Sequence, residues 1–119
     1  MARPQRSRRI CSLPACSRFV PADAEHAPAV VLTLDEYETI RLMDREGKTH
    51  EQCAAFMQIS RTTVTEIYAA ARKKLADALV EGCEIVIDGG SVRVCDGTEP
   101  CGSGVCPRRF SETTEAKGV

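Results

Sequence analysis

The chain contains no tryptophan, and aromatic residues make up only 4% of its 119 positions. A core without large rings must be built from Leu, Ile, Val, Ala and Met, and a domain this small buries a modest amount of them, which favours support from a second subunit or a metal. No long apolar run exists, so no transmembrane helix is expected. The arginine-rich start is not followed by an apolar segment, which argues against a secretory signal and for a cytoplasmic protein. No Gly-rich phosphate loop follows a strand, and no Ser, His and Asp arrangement is evident, so no enzyme is expected. The acids of the first helix read as a solvated face.

Acids are also missing from Met1 to Val20, where Arg3, Arg6, Arg8, Arg9 and Arg18 lie. Asp35, Glu36, Glu38, Asp44, Glu46 and Glu51 gather further on, and residues 61–74 are basic again. The net charge of −1 therefore conceals segregation, and a nearly neutral protein can still present a basic face.

Residues 1–30 carry Pro4, Pro14, Pro21 and Pro28, which disfavour one continuous helix, so this stretch reads as a basic, Pro-containing arm and loop. Thr33 with Glu36 forms a capping box, and Leu32 with Tyr37 a hydrophobic staple. Tyr37, Ile40, Leu42 and Met43 supply an apolar stripe, and Gly47 a stop. Thr49 with Gln52 repeats the capping box, opening a short helix that buries Cys53, Phe56 and Met57. Gln58-Ile59 is the turn, and Ser60 caps a third helix. Val64, Ile67, Ala71, Leu75 and Ala78 line one face of that helix, and Gly82 ends it. Residues 31–82 are thus expected to form a three-helix, mainly α domain. Asp88-Gly89-Gly90 between two β-type runs predicts a hairpin over residues 83–96, a candidate dimer contact. Residues 97–119 read as a Cys/Gly-rich segment with a disordered tail.

Two helices joined by a tight turn, the second opening in short polar residues, describe a helix-turn-helix. Short side chains let the backbone approach a duplex closely. Arg61 can fork onto guanine or a phosphate, and Thr62, Thr63 and Thr65 can offer hydroxyls, with Glu66 on the same front. Arg72 and Lys73 can reach the flanking backbone. Arg3, Arg6, Arg8 and Arg9 form an arm suited to phosphates or the minor groove. The competing reading is an amphipathic core helix whose basic face merely meets solvent.

The stretch LTLDEYETIRLMDREGKTHEQCAAFMQISRTTVTEIYAAARKKLADAL resembles region 4 of sigma factors and its LuxR-like relatives. It resembles more closely a family of predicted DNA-binding proteins, domain of unknown function 134 (UPF0251). The landmarks here are DEYETIRL at Asp35 to Leu42, SRTTV at Ser60 to Val64, ARKKLADALVEG at Ala71 to Gly82, Gly89-Gly90, Cys95-Asp96-Gly97, and CSLP at Cys11. The resemblance implies a DNA-binding transcriptional regulator with a sigma region 4-like fold. One departure is Gln58, where sigma region 4 usually has Gly; Gln enters the left-handed region at a cost of roughly 1 kcal/mol.

Disulfides are rare in the cytoplasm, so the seven cysteines read as thiols or ligands. Cys11 with Cys16 and Cys101 with Cys106, joined by Cys95, form a candidate set for zinc or an iron–sulfur cluster. The alternatives for this set are reduced thiols in a flexible tail, or a redox-switched Cys101–Cys106 disulfide. Cys53 reads as a buried hydrophobe and Cys83 has no obvious partner. His26 and His50 read as surface residues.

These observations converge on a double-stranded DNA partner, a homodimer on a palindromic site, contact with transcription machinery, and no membrane. The competing functions are a metal or thiol-redox protein on a helical scaffold, and a protein-interaction module.

Overall fold

A hydroxyl side chain opens each of the three helices. Thr33 Oγ1 accepts from the Glu36 N–H at 3.4 Å while Glu36 Oε1 accepts from the Thr33 N–H at 2.9 Å, and helix α1 (Leu34–Thr39) follows. Thr49 and Gln52 repeat the exchange at 3.1 and 2.9 Å ahead of α2 (His50–Met57). Ser60 Oγ accepts from the Thr63 N–H at 3.1 Å and starts α3 (Arg61–Glu81). Both capping boxes expected from the sequence are formed. The computed structural model describes residues 7–23 and 26–95.

α1 does not stop at Thr39. It widens into a π-helical segment, Ile40–Arg45, whose end is marked by the Glu46 N–H donating to the Arg41 carbonyl at 3.1 Å. Gly47 then turns the chain with φ of 73°. Gln58 ends α2 at φ 61° and ψ 45°, the one non-glycine among the described residues with positive φ. The turn keeps its left-handed corner without glycine and carries the strain instead.

Five short strands complete the fold: β1 (Arg8–Ile10), β2 (Arg18–Phe19), β3 (Ala29–Leu32), β4 (Glu84–Ile87) and β5 (Val92–Val94). β4 lies between β2, antiparallel, and β3, parallel. β5 pairs in parallel with β1, Arg8 opposite Val92 and Ile10 opposite Val94. The expected hairpin over residues 83–96 is therefore corrected, because β4 and β5 belong to different sheets. Gly89 and Gly90, at φ of 83° and 95°, instead carry the chain across the start of α1, where the Leu34 N–H donates to the Gly89 carbonyl at 2.9 Å. That bond satisfies one of the donors a helix leaves open at its first turn. The reading of residues 1–30 as an arm is corrected too, since β1, β2 and β3 all fall at or within its bounds and are tied into the sheets.

α3 bridges two cores. Near its start, Val64 joins Cys11, Leu42, Cys53, Phe56 and Met57. Further along, Ala71 packs with Leu32 and Ile87, and Leu75, Tyr37, Ile40 and Ile85 close over them. Leu32 and Tyr37 share this second cluster, as a staple requires. Val64, Ala71 and Ala78 are buried, so the apolar stripe is spent inward along the helix.

Candidate nucleic-acid interface

The front of α3 stands on its cap at Ser60, on the left-handed corner at Gln58, and on Val64 seated in the first core. With that stripe turned inward, Arg61, Thr62, Thr65, Glu66, Arg72 and Lys73 are all exposed. Thr63 is half-buried, its hydroxyl 2.8 Å from Ser60 Oγ, and so reinforces the cap more than it faces outward. Arg61 makes no side-chain hydrogen bond or ion pair among the described residues. A guanidinium held at a helix start with its donors open is suited to a phosphate or a guanine edge.

Behind this front lies a polar lattice that sequence reading missed. Thr65 Oγ1 donates to the Arg61 carbonyl at 3.1 Å and sits 3.0 Å from His50 Nδ1. With its single proton so used, the Thr65 oxygen is left to accept from the His50 ring. The His50 ring meets Tyr68 edge-on at 5.8 Å. Tyr68 donates its hydroxyl to Asp44 Oδ1 at 2.6 Å, and this bond, with burial second, raises the Tyr68 pKa. Arg72 lies 3.9 Å from Asp44 Oδ2 and 5.4 Å from the Tyr68 ring centre. His50 and Tyr68 thus join the start of α2 and the middle of α3, and position Thr65 and Arg72. Their sequence signal was weak, since the pairs are 15 and 24 residues apart.

Lys73 bonds Asp77 at 2.7 Å one turn along, and that bond raises its pKa and keeps it charged. Arg72 and Lys73 are therefore each tethered loosely to an acid, whereas Arg61 is not.

The remaining predicted DNA contacts divide. Arg3 and Arg6 lie outside the described residues. Arg9 is corrected: it is buried, its Nε donates to the Phe56 carbonyl at 2.8 Å, and its guanidinium covers the Phe56 ring at 4.7 Å. A charge committed to the end of α2 cannot also lie along phosphates. Arg8 is corrected in part: as a strand residue it is 3.5 Å from Asp35 with its side chain 12% exposed. Even so, Arg8 lines a cleft of about 470 Å³ with Gln58, Ile59, Ser60 and Thr63, at the very front of α3.

The acids of α1 are also corrected from a solvated face. Asp35, Glu36 and Glu38 are buried, and each meets a base from elsewhere in the chain or the next turn. Asp35 faces Arg8, and Glu36 takes Lys74 Nζ at 2.7 Å. Glu38 accepts Arg41 Nε and Nη2 at 2.8 and 2.9 Å and the Cys11 N–H at 2.8 Å. Burial works against the Arg41 charge, but the Glu38 bonds and the fields of Glu38 and Glu46 outweigh it and raise its pKa.

Of the candidate metal ligands, Cys101 and Cys106 lie outside the described residues. Cys11 and Cys95 are both buried, each directly follows the last pair of the β1–β5 ladder, and the Cys95 N–H donates to the Ile10 carbonyl at 2.8 Å. Cys16 is exposed and its thiol turns to the Arg18 carbonyl at 3.0 Å. Among the described residues, no three His, Cys, Asp or Glu side chains gather in a metal-binding group. Cys53 is buried as expected; burial pushes its thiol up to about 12, too high for a thiolate ligand at neutral pH.

With this geometry in hand, the profile of the family described as "Protein of unknown function DUF134" matches residues 1–95. The chain belongs to the DUF134 family. A UPF0251 protein of Desulfitobacterium hafniense strain Y51 is 51% identical over 112 residues, covering 92% of this chain and 90% of the relative. A UPF0251 protein of Chlorobium chlorochromatii is 41% identical over 122 residues, covering 98% of this chain and 69% of the relative. One from Thermoanaerobacter pseudethanolicus is 43% identical over 98 residues, covering 81% and 83%. No solved structure gives a significant match. Among the described residues no helix is long and apolar enough to cross a membrane.

Proposed function

We propose that this DUF134 chain binds double-stranded DNA through a helix-turn-helix made of α2, the Gln58 corner and α3, in the manner of sigma region 4, and acts in transcriptional regulation. The observation that carries the reading is the front of α3. Arg61, Thr62, Thr65 and Glu66 are exposed together while Val64 between them is fully buried. A helix inserted N-terminus first in the major groove needs this division. Arg61 reads or clamps, the threonine hydroxyls bond to bases or phosphates, and Arg72 reaches the flanking backbone by leaving Asp44. Arg8 adds a cation beside the same helix start, from a strand and not from an arm.

Selection from random duplex oligonucleotides with reduced protein, followed by anisotropy titration of the enriched site, tests the reading. Arg61→Ala is expected to lower specific affinity by about 1–3 kcal/mol. Failure to enrich any sequence, together with unaltered weak binding in Arg61→Ala, sinks it. Truncation through Arg9 is not a clean probe, because it removes Arg8 and Arg9 from β1.

One observation favours a metal- or redox-responsive version of this function: Cys11 and Cys95 each follow directly on the last pair of the β1–β5 ladder. Metal analysis of anaerobically purified protein, repeated on Cys95→Ser, tests that version. Absence of stoichiometric metal and of any thiol-dependent change in DNA affinity removes it.

A further inference from the structure

Four side chains of α3 lie along one flank of the helix. Arg61, Thr65, Tyr68 and Arg72 follow one another at steps of four, three and four residues, which sets them in a row. Arg72 stands roughly 16 Å along the axis from Arg61. A helix inserted by its front in a major groove about 12 Å wide therefore brings Arg72 to the sugar–phosphate wall. Beside this row the contacts place the carboxylate of Asp44. Its Oδ1 accepts the Tyr68 hydroxyl at 2.6 Å, and its Oδ2 lies 3.9 Å from Arg72 Nε.

This pair differs from the buried ion pairs of α1. The Asp44 and Arg72 side chains are 38% and 64% exposed, whereas those of Glu38 and Arg41 are 0% and 10% exposed. An exposed pair at such a distance contributes little to the fold. Its effect is to fix where a negative charge sits. Tyr68 holds the carboxylate by its hydroxyl, and that bond raises the phenol's pKa, so the donor keeps its proton at neutral pH. The Tyr68 ring meets His50 edge-on at 5.8 Å and lies 5.4 Å from the Arg72 guanidinium. Asp44 is carried by the π-helical segment Ile40–Arg45, and such interruptions of α-helices are frequent at functional sites. An anion held in this way offers Arg72 what a DNA phosphate would offer, oxygen acceptors and a negative charge. It also repels the phosphates themselves.

We infer that Asp44 restrains duplex binding by standing in for a phosphate at Arg72 in the free protein, with Tyr68 as the residue that positions it. The inference rests on the DNA-binding reading and adds the regulation of that same surface. A phosphate gains Arg72 only by displacing Asp44, and the displaced carboxylate stays close because Tyr68 retains it. Arg72 therefore adds little to the affinity of the wild-type chain, and its contribution emerges once position 44 is neutral.

Anisotropy titrations of the full chain, on the selected duplex and on a scrambled one, between about 50 and 200 mM salt, test this. The chains compared are wild type, Asp44→Asn, Arg72→Ala and the double variant. Asn keeps an oxygen for Tyr68 to bond, so the circular dichroism spectrum and urea midpoint are expected to be unchanged. Asp44→Asn is expected to tighten binding to both duplexes by roughly two- to tenfold. It should also steepen the slope of log affinity against log salt by about 0.9, the value for one further phosphate neutralised. A merely structural Asp44 would move neither quantity in that direction. Arg72→Ala is expected to cost less than about twofold in the wild-type chain, and to remove most of the gain in the double variant. An Asp44→Asn chain that binds as the wild type or more weakly overturns the inference, as does an equal gain with Arg72 replaced. In those outcomes Arg61→Ala still weakens binding to the selected duplex. Failure of the DNA-binding reading looks different: no duplex is selected and Arg61→Ala changes nothing, and the role of Asp44 then falls with it.

Discussion

The two arginine-bearing stretches of this chain end in opposite places. The segment around Arg8 and Arg9 has no acid in its own sequence and looks like a free cationic arm, yet its guanidiniums turn inward to Asp35 and to Phe56. Arg61, preceded by Ser and followed by three short polar or β-branched residues, stays outside with its donors open. The difference lies in what the fold offers nearby. The buried acids of α1 need cations, and β1 runs past the start of that helix; Arg61 at the start of α3 meets no acid among the described residues. Charge that is segregated along the sequence can thus be neutralised in three dimensions, and a cation with such a partner must loosen it before it can serve an outside one.

The comparison can be broken most severely at its acidic side. Replacing Glu38 by Gln leaves the buried Arg41 with only the more exposed Glu46 as its anion and is expected to cost about 3–5 kcal/mol, read as a lower urea midpoint at unchanged slope. Arg9→Ala should follow, at roughly 2–4 kcal/mol, because it removes a charge-assisted bond and a desolvated cation–π contact together. Arg61→Ala should shift the same midpoint by no more than about 0.5 kcal/mol while weakening DNA binding. If Arg9→Ala spared stability and cost DNA affinity, the contrast between the two arginines would collapse.

Two backbone substitutions sharpen the picture at smaller scale. A Cβ at Gly90 would sit 3.0 Å from Asp35 Oδ1 and 3.2 Å from Thr33 Cβ, with φ at 95°. Gly90→Ala is therefore expected to cost about 1–3 kcal/mol in the same denaturation experiment, by strain and by disturbing the acid that faces Arg8. Gln58→Gly should instead raise stability by roughly 0.5–1 kcal/mol, since Gly relieves the left-handed corner but adds freedom to the unfolded chain. A gain here with unaltered DNA affinity would show that the turn in this family member is strained without being tuned for binding.

The helices were legible because their signals are local. Each capping box spans four residues, and the stripe from Val64 to Ala78 repeats every three or four, so neighbouring residues alone specify where each helix begins and which side it buries. The exposure of Arg61, Thr62 and Thr65 follows from that stripe. The strands were not legible in the same way. Asp88-Gly89-Gly90 is a strong hairpin signal when judged by its neighbours, but β4 is taken on both sides by β2 and β3 from the first third of the chain. Pairing partners that far apart leave no mark on the turn between them.

Sequence alone therefore determined three capped helices, their buried faces, and the row of polar side chains that α3 presents, because each rests on contacts within a few residues. Tertiary structure decided which charges stay available, which strands pair, and where His50 and Tyr68 brace the α3 front. Those outcomes depend on groups brought together from distant parts of the chain, and a buried carboxylate takes whichever cation the fold sets beside it.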